Sequence, residues 1–448
     1  MINKDKNLAI IGAGISGMAA AWALSRHHRV SLYEQNSYLG GHSNTVDLAL
    51  DGDVVPVDTG FIVFNPPNYP YLVSLFNQLG VETVSTGMSF GVSMQGGRLE
   101  YAGSNLNGLF AQRSNLLRPR FWQMIGEVKR FYQNAPTYLE SAGTQSIGEL
   151  VQHQGFSKNF MEEHLMPMAG AIWSASRSDI EKYPATAFIR FFANHGLLQL
   201  HERPPWQTVK GGSRVYVEKL IADTRFERII QQRVVNVSRS ANGVSISDAA
   251  GDTAKYDDVV FACHADEALK LLEKPTSDEL KILGAFNYSQ NEAVLHEDQT
   301  LMPKRKAAWS SWNYIQHEAR ESTFNDDKRP LCVSYWMNRL QNLSTQHQIF
   351  VTLNPSVVPN ADKVHGTFHY THPIFNGATA SAQANSLSIQ GQHRSWYCGA
   401  YLGHGFHEDG IQSGLWVAEQ FACKPDWEIA DSYPRLPSQY EARQQMAA

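Results

Sequence analysis

Cysteine is scarce in this chain, and none of its cysteines is paired with another at short spacing. The four cysteines are Cys263, Cys332, Cys398 and Cys423, and no two of them form a Cys-x-x-Cys motif. Disulfide frameworks and structural zinc sites both need cysteines at short, regular spacing. We therefore expect no disulfides and no bound metal, and we place the chain in the reducing cytoplasm.

Long apolar runs and basic tracts are also absent. No run of about twenty apolar residues occurs, although a membrane-spanning helix requires one. The first residues are charged and are not followed by the apolar core of a signal peptide. The net charge is −5, and no basic tract is long enough to indicate nucleic-acid binding. We expect a globular protein with no transmembrane segment and no nucleic-acid partner, while its oligomeric state stays open.

What the chain does contain is a glycine-rich turn between an apolar strand and a helix. The strand covers residues 8–11, and glycines follow at positions 12, 14 and 17. Gly12 permits a tight turn, and Gly14 lets the backbone come close to a pyrophosphate, where a Cβ would collide. Gly17 lets the helix pack onto the strand. This order of elements predicts a dinucleotide site.

An acid at the end of the next strand strengthens this interpretation. The helix that begins at Ile15 and Ser16 presents free N–H groups and a positive dipole end to the phosphates. Glu34 ends the second strand, where an acid accepts both ribose hydroxyls of an adenosine and disfavours a 2′-phosphate. We therefore do not expect NADP. The alternative is an ordinary βαβ unit without a ligand.

A glycine pair then indicates which dinucleotide is bound. Gly40 and Gly41 follow the acid, and plain NAD enzymes have no special need for them. In FAD proteins of the glutathione reductase and flavin amine oxidase type, Glu followed by Gly-Gly and Ser or Thr recurs at this spacing. With Thr45 and the run 58–61, the chain resembles the flavin-containing amine oxidase superfamily. That superfamily includes monoamine oxidases, phytoene-type desaturases and protoporphyrinogen oxidase.

The resemblance spans nearly the whole chain and implies a bound FAD. Segments 168–174, 206–212 and 405–410 are most similar to a bacterial group described as predicted NAD/FAD-binding or amine-oxidase-like proteins. The Ser-Gly-Gly-Cys run that carries covalent flavin in monoamine oxidases is missing, and Cys398 lies within a predicted strand. We therefore expect non-covalent FAD.

The C-terminal strand, loop and helix complete the flavin site that the resemblance implies. The helix dipole would stabilise the negative charge that develops at the N1–C2=O edge of the flavin. The resemblance places the backbone N–H of His407 at that edge, Phe406 beside the reactive face, and Val234 at the adenine. His42 stands where the family usually has Arg. The predicted cofactor residues are Gly12, Gly14, Ile15, Ser16, Gly17, Glu34, Gly40, Gly41, His42, Thr45, Gly60, Phe61, Val234, Gly399 and His407.

Candidates for catalysis are fewer, since FAD itself supplies the chemistry. Besides Phe406, they are Tyr370 and His372, upstream of the flavin strand, where the superfamily often brings an aromatic residue toward the ring. Both would line the substrate cavity, and His372 could move a proton, although a satisfied loop histidine is the alternative. Lys304 and Lys306 are candidates for the lysine that some amine oxidases hold near flavin N5, against a solvated basic turn.

The order of these segments predicts an α/β fold with two interleaved domains. One is an FAD-binding Rossmann-like domain of the glutathione-reductase and amine-oxidase type, and the other is an α+β substrate domain. Helical patterns dominate the first half of the substrate domain. The predicted boundaries are 1–75, 206–272 and 390–435 for the FAD-binding domain, 76–205 and 273–389 for the substrate domain, and 436–448 for a polar tail.

Three functions stay open at this point. The first is an FAD-dependent oxidoreductase that takes a hydride onto flavin N5, with desaturation of a fatty-acyl or isoprenoid chain as its favoured chemistry. The second is an amine oxidase, which needs an aromatic cage and usually an acid for the ammonium. The third is a non-catalytic lipid carrier similar to the Rab GDP-dissociation inhibitors, against which Glu34 argues.

The stretch 116–131 bears on the partners of the chain, because it interleaves basic and aromatic residues. It is typical of a solvated helix of the substrate domain or of a helix on a lipid surface. We therefore expect a small-molecule or lipid substrate, and we leave open a peripheral contact at the inner membrane surface.

Overall fold

A five-stranded parallel sheet occupies the centre of the cofactor side of the molecule. The computed structural model describes residues 5–173, 175–199, 204–317, 331–429 and 436. The sheet has the strand order β19-β13-β1-β2-β9, and every pairing in it is parallel. Its strands are β1 (Asn7–Ile11), β2 (Arg29–Glu34), β9 (Glu227–Ile230), β13 (Asp258–Phe261) and β19 (Ser395–Tyr397).

The substrate side is organised around a seven-stranded mixed sheet of order β18-β14-β17-β16-β15-β6-β7. All its pairings are antiparallel except that between β15 and β6. Its strands are β6 (Phe90–Met94), β7 (Leu99–Ala102), β14 (Asn287–His296), β15 (Trp312–Ile315), β16 (Val333–Trp336), β17 (Phe350–Leu353) and β18 (Val364–Ile374).

Three smaller antiparallel units complete the strands. A three-stranded sheet follows the order β10-β11-β12, and two strand pairs join β3 to β4 and β5 to β8. These strands are β3 (Thr45–Leu50), β4 (Asp53–Asp58), β5 (Thr83–Thr86), β8 (Trp206–Val209), β10 (Val234–Ser240), β11 (Gly243–Asp248) and β12 (Thr253–Tyr256).

The helices divide between the two sides of the molecule. Most of those between residues 106 and 194 form one layer around a core of buried aromatic and aliphatic side chains. The helices are α1 (Ile15–Leu24), α2 (Pro70–Leu79), α3 (Leu106–Leu109), α4 (Pro119–Ser141), α5 (Ile147–His153), α6 (Lys158–Phe160), α7 (Met166–Trp173), α8 (Arg177–Glu181), α9 (Ala185–Asn194), α10 (Arg214–Ala222), α11 (Ala265–Leu271), α12 (Ser277–Leu283), α13 (Met337–Leu340), α14 (Gly377–Asn385) and α15 (His407–Gln420). In the described residues, no helix has the length and hydropathy needed to cross a membrane.

Helix α1 is buried along its whole length because α15 packs directly on it. A Cβ at Gly414 would lie 2.2 Å from the Ser16 carbonyl oxygen, and one at Gly410 would lie 2.7 Å from the Ile15 side chain. Small residues at this contact therefore let the last helix approach the first. The approach brings the N-termini of both helices to the same region.

The predicted α/β architecture with a parallel sheet and a second, mixed substrate region is confirmed. The predicted domain boundaries stay a prediction. The helical pattern assigned to 76–205 missed the strands β5, β6 and β7, which contribute to two sheets. Apart from Leu436, which is buried, the predicted tail lies outside the described residues.

Candidate active site

The glycine turn joins β1 to α1 at the carboxyl end of the parallel sheet. A Cβ at Gly12, whose φ is +105°, would lie 2.8 Å from the Ala262 carbonyl group, and one at Gly17 would lie 1.9 Å from the Gly12 oxygen. Glycine at both positions is therefore required by packing. At Gly14, by contrast, no atom lies within 4 Å of the ideal Cβ position. Gly14 faces a cavity, and among the described residues no side chain caps the N-terminus of α1 there.

Glu34 lies beside this turn, and its carboxylate is held by backbone and amide groups. The Ala13 N–H donates to Oε2 (3.0 Å), while the backbone N–H and the side-chain amide of Asn36 donate to Oε1 (both 2.9 Å). Two carboxylate oxygens accept about four hydrogen bonds, so Glu34 keeps capacity for a further donor from the cavity. Val234 lines the same end of the cavity.

The loop that contains Gly40 and Gly41 packs against the glycine turn and leads to His42. A Cβ at Gly41 would lie 3.0 Å from the Gly14 Cα. His42 is half-buried, and its buried Nε2 has no hydrogen-bond partner among the described residues. Burial lowers the pKa of His42 well below its ordinary value, so the ring is neutral. It therefore cannot supply the permanent charge of the Arg usual in the family, and the uncapped α1 N-terminus is left as the anion-binding element nearby.

Tyr370 and His372, both on strand β18, lie next to His42. The His42 ring centroid is 4.9 Å from that of Tyr370 and 5.3 Å from that of His372. The Tyr370 hydroxyl is hydrogen-bonded to the Thr59 hydroxyl at 2.7 Å. The Asn291 amide donates to His372 Nδ1 (3.1 Å), which places the imidazole proton on Nε2. Burial lowers the pKa of His372 to about 4, so this imidazole is neutral at physiological pH.

The N-terminus of α15 forms a further part of the cavity wall. The Phe406 ring stacks on Phe191 at a centroid distance of 4.7 Å, and Phe191 in turn stacks on His195 at 3.9 Å. The His407 ring stacks on Phe61 at 3.8 Å, and its Nε2 lies 2.9 Å from the Ser43 hydroxyl. At this terminus the Asp409 carboxylate accepts the backbone N–H of Phe406 (2.9 Å), while Phe406 itself provides no side-chain cap.

One continuous cavity of about 1180 Å³ connects these groups. Drug-sized ligands fill cavities of about 300–1000 Å³, so this cavity is larger than one such ligand needs. The predicted residues that line it are Gly12, Gly14, Ile15, Ser16, Glu34, Gly40, Gly41, His42, Gly60, Phe61, Val234, Tyr370, His372, Gly399, Phe406 and His407.

Comparison with known proteins identifies the kind of protein that has this cavity. The sequence profile described as "Flavin containing amine oxidoreductase" matches residues 15–336, which is more than half of the chain. The chain belongs to this family. It is therefore an FAD-dependent oxidoreductase, as the resemblance implied. The non-catalytic carrier alternative is not supported, because the matched family is described as one of oxidoreductases.

Solved structures of low sequence identity share the fold of this flavin amine oxidoreductase. The CLA-producing fatty acid isomerase from P. acnes has a TM-score of 0.65 at 15% identity, with 94% of this chain and 99% of that chain covered. Cyclohexylamine oxidase from Brevibacterium oxydans IH-35A gives 0.66 at 14%, covering 93% and 99%. Putrescine oxidase bound to putrescine gives 0.63 at 13%, covering 94% and 99%. No curated protein sequence matches.

The residues present fit the flavin that this oxidoreductase family contains. Two polar features face one cavity, namely the uncapped N-terminus of α1 and the unpartnered Nε2 of His42. The space next to Gly14 in this cavity is open. The Tyr401 hydroxyl, also at the cavity, likewise has no partner among the described residues. Buried polar atoms without partners are rare, so their grouping here indicates a polar ligand.

Two of the predicted cofactor residues do not line the cavity. Gly17 is enclosed by the turn itself, in agreement with its predicted packing role. Thr45 donates its hydroxyl proton to Asp58 Oδ1 (2.6 Å) and accepts the N–H of Arg214 (2.9 Å). Asp58 also accepts two hydrogen bonds from Ser213, and burial raises its pKa to about 6. The position of Thr45 therefore supports a link between β4 and α10 and not a direct cofactor contact.

The lysines proposed near flavin N5 also lie outside the cavity lining. Lys304 donates its backbone N–H to Glu100 (2.7 Å), and Lys306 lies in a short 3-10 turn with its ammonium over Trp309. Both therefore belong to a surface turn. No group of three or more His, Cys, Asp or Glu side chains in the described residues is arranged to hold a metal ion.

Sequence reasoning missed the part of the cavity that leads away from the glycine turn, here called the apolar arm. It is bounded by β7, α3, α4 and α7, and a π-helical turn, Met161–Leu165, brings His164 to its wall. The Nδ1 and Nε2 atoms of His164 lie 3.2 and 3.1 Å from the hydroxyls of Tyr101 and Tyr132, respectively. The aromatic pattern of α4 was the available signal. The apolar lining residues are Tyr101, Leu106, Leu109, Met124, Ile125, Val128, Tyr132, Met168, Ala171 and Ile172.

Proposed function

We propose that this chain binds FAD non-covalently and oxidises a long apolar chain, fatty-acyl or isoprenoid, held in the apolar arm. The observation that carries this proposal is that the arm has no carboxylate among its described lining residues. Among the described lining residues the carboxylates are Glu34 and Glu267. Glu34 lies at the glycine turn, and Glu267 accepts the His264 N–H at the start of α11 (3.1 Å). An ammonium substrate would have no counter-charge in the arm. An apolar chain has no charged or polar group that burial in the arm would leave without a partner.

The reaction needs little from the side chains of the protein. A bound FAD supplies the two-electron acceptor, and the substrate loses two hydrogens as a carbon–carbon double bond forms. The arm orients the chain and excludes water from it. The aromatic wall of Phe406, Phe191 and His195 would flank the carbon that reacts. His372, neutral and with its proton on Nε2, would hold a polar group of the ligand and carry no charge of its own.

Non-covalent attachment is supported by the positions of the cysteines. Cys398 is fully buried after β19 and does not line the cavity, and burial raises its pKa to about 12. Cys263 lines the cavity, but burial raises its pKa well above the ordinary value, so it is a thiol and not a reactive thiolate. All four cysteines are unpaired, which supports the proposed cytoplasmic location.

Amine oxidation is the second candidate function. The family description and the stack of Phe406 on Phe191 favour it, because an aromatic wall beside the reacting carbon also suits an amine. The two candidates differ in where the substrate lies. A long chain must occupy the apolar arm, whereas a small amine needs only the space beside the aromatic wall.

A variant that narrows the apolar arm separates these candidates. Leu109 lines the arm, so Leu109→Trp should slow flavin reduction by long acyl chains at least about tenfold, through misplacement of the chain. The assay is anaerobic loss of the oxidised flavin absorbance, with long-chain fatty acids and with cyclohexylamine or putrescine as substrates. The matched control is Leu280→Trp, at an exposed leucine of α12.

The proposal is supported if acyl chains reduce the flavin of the wild type and of the control, and reduce that of Leu109→Trp only slowly. Reduction by amines alone contradicts it and assigns amine oxidation.

Protein denatured by acid should release its yellow colour into solution, whereas colour retained on the precipitated chain would contradict non-covalent binding.

A further inference from the structure

Apolar side chains that point into solvent cluster at the mouth of the apolar arm. Leu106 is 74% exposed, Leu116 47%, Leu117 86% and Trp122 48%. The Trp122 ring rests against Phe110 at 5.4 Å, and its N–H donates to the Leu116 carbonyl oxygen (3.0 Å), so the exposed ring is held in place. We call Leu106, Leu116, Leu117 and Trp122, together with the arginines described next, the entrance surface.

The charged residues of the entrance surface are all arginines. Between residues 101 and 126 the chain has Arg113, Arg118 and Arg120 and no Asp or Glu. Arg113 donates to the Phe110 carbonyl and Arg118 to the Arg98 carbonyl, and in the part of the chain that is described neither forms a salt bridge. Arg120 pairs with Glu163 but keeps 57% of its side chain exposed. Cations around exposed leucines and a tryptophan are the composition of a surface that lies on anionic lipid.

The entrance surface is continuous with the cavity. Leu106 belongs both to this surface and to the cavity lining, and Leu109, Met124 and Ile125 continue inward from the same two helices, α3 and α4. A chain leaving a bilayer at this surface would therefore enter the arm without crossing water, which avoids the cost of exposing its methylene groups.

We propose that the entrance surface docks on an anionic phospholipid bilayer and admits the substrate chain directly from it. This inference rests on the proposed function for the nature of the substrate, but the docking itself is independent of catalysis. Leu116, Leu117 and Trp122 enter the interfacial region, and the arginines contact lipid phosphates. A single hydrophobic insertion of this size gives reversible binding.

The test is co-sedimentation of the FAD-loaded protein with vesicles of phosphatidylcholine, alone or mixed with phosphatidylglycerol. We expect binding to the mixed vesicles, weaker binding to phosphatidylcholine alone, and loss of binding at high salt. The double variant Leu116→Ser/Leu117→Ser should bind the mixed vesicles at least about tenfold more weakly. Leu280→Ser, at an exposed leucine of α12, is the matched control and should bind as the wild type does.

Both variants alter exposed side chains, and their flavin absorbance and thermal unfolding check that they fold. No vesicle binding by the wild type, or equal binding by the double variant, would overturn the inference. A wild-type dimer that the double variant dissociates would instead assign this surface to a second copy of the chain. If the protein does not bind vesicles but dissolved acyl chains still reduce the flavin, this inference is wrong and the proposed function stands. If the protein binds vesicles but acyl chains do not reduce the flavin, the proposed function is wrong and the docking stands.

Discussion

Gly14 and Gly17 belong to the same motif, but the structure gives them different surroundings. A Cβ at Gly17 would overlap the Gly12 carbonyl oxygen, whereas a Cβ at Gly14 would enter open space. The backbone of Gly14, with φ −71° and ψ −178°, is one that alanine adopts readily. One glycine is therefore needed for the fold, and the other is free to serve a ligand.

Alanine substitutions should separate these two roles. Gly17→Ala should lower the free energy of unfolding of the FAD-free protein by about 1–3 kcal/mol, because the turn must shift. Gly14→Ala should change it by less than about 1 kcal/mol. Because a pyrophosphate is predicted at Gly14, FAD should bind this variant at least about tenfold more weakly, or ~1.4 kcal/mol. Thermal unfolding and FAD titration measure the two effects, and unchanged FAD affinity in Gly14→Ala would place the phosphates elsewhere.

At the scale of elements, α15 is tied to α2 by a buried carboxyl group. Helix α2 has no side-chain cap of its own. Glu408, in the first turn of α15, accepts the backbone N–H groups of Tyr71 (2.9 Å) and Leu72 (3.0 Å) at the start of α2. Burial raises the pKa of Glu408 to about 8, although these hydrogen bonds oppose the shift. At neutral pH the folded protein therefore keeps a proton that the unfolded chain releases.

This proton makes stability depend on pH. Between about pH 4.5 and 8 the folded state binds more protons at Glu408 than the unfolded state, so the free energy of unfolding should fall as pH rises. The slope is up to about 1.4 kcal/mol per pH unit. Glu408→Gln should lose this slope, whereas Glu419→Gln, at an exposed position of the same helix, should keep it. Denaturant unfolding across the pH range measures it, and equal slopes in both variants would assign it to other groups.

At the scale of the whole molecule, the cavity is built from both sheets and from the helical layer. Gly12 and Gly399 reach it from the parallel sheet, Tyr335 and Leu353 from the seven-stranded sheet, and Met124 from α4. A ligand that fills this cavity contacts segments more than 300 residues apart in the chain. Its binding energy therefore adds directly to the stability of the folded state.

Removal of FAD should consequently lower the unfolding temperature of the protein. At an FAD concentration about 100 times the Kd, bound FAD should raise the free energy of unfolding by about 2.7 kcal/mol. Thermal unfolding with and without added FAD measures it, and at equal FAD concentration Gly14→Ala should gain less. An unfolding temperature that does not respond to FAD would mean that the cofactor is absent from this cavity.

The sequence by itself determined the features whose physics is local. A strand, a glycine turn and a helix are specified by neighbouring residues, so the β1–α1 turn and the acid at Glu34 were predicted together with the flavin family. The role of the C-terminal strand, loop and helix at the flavin came instead from the family resemblance. Most of the predicted cofactor residues line one cavity, and their contacts with FAD stay predictions.

Only the tertiary structure decided what depends on distant neighbours. Thr45 is turned toward Asp58 and Ser213, and the hydroxyl of Tyr370 is held by Thr59, although more than 300 positions separate that last pair. The apolar arm combines β7 with three helices, and the lack of carboxylates among its described lining residues is a property of their packing. Spacing along the chain cannot supply such information, because burial and charge at a site depend on which side chains the fold brings together.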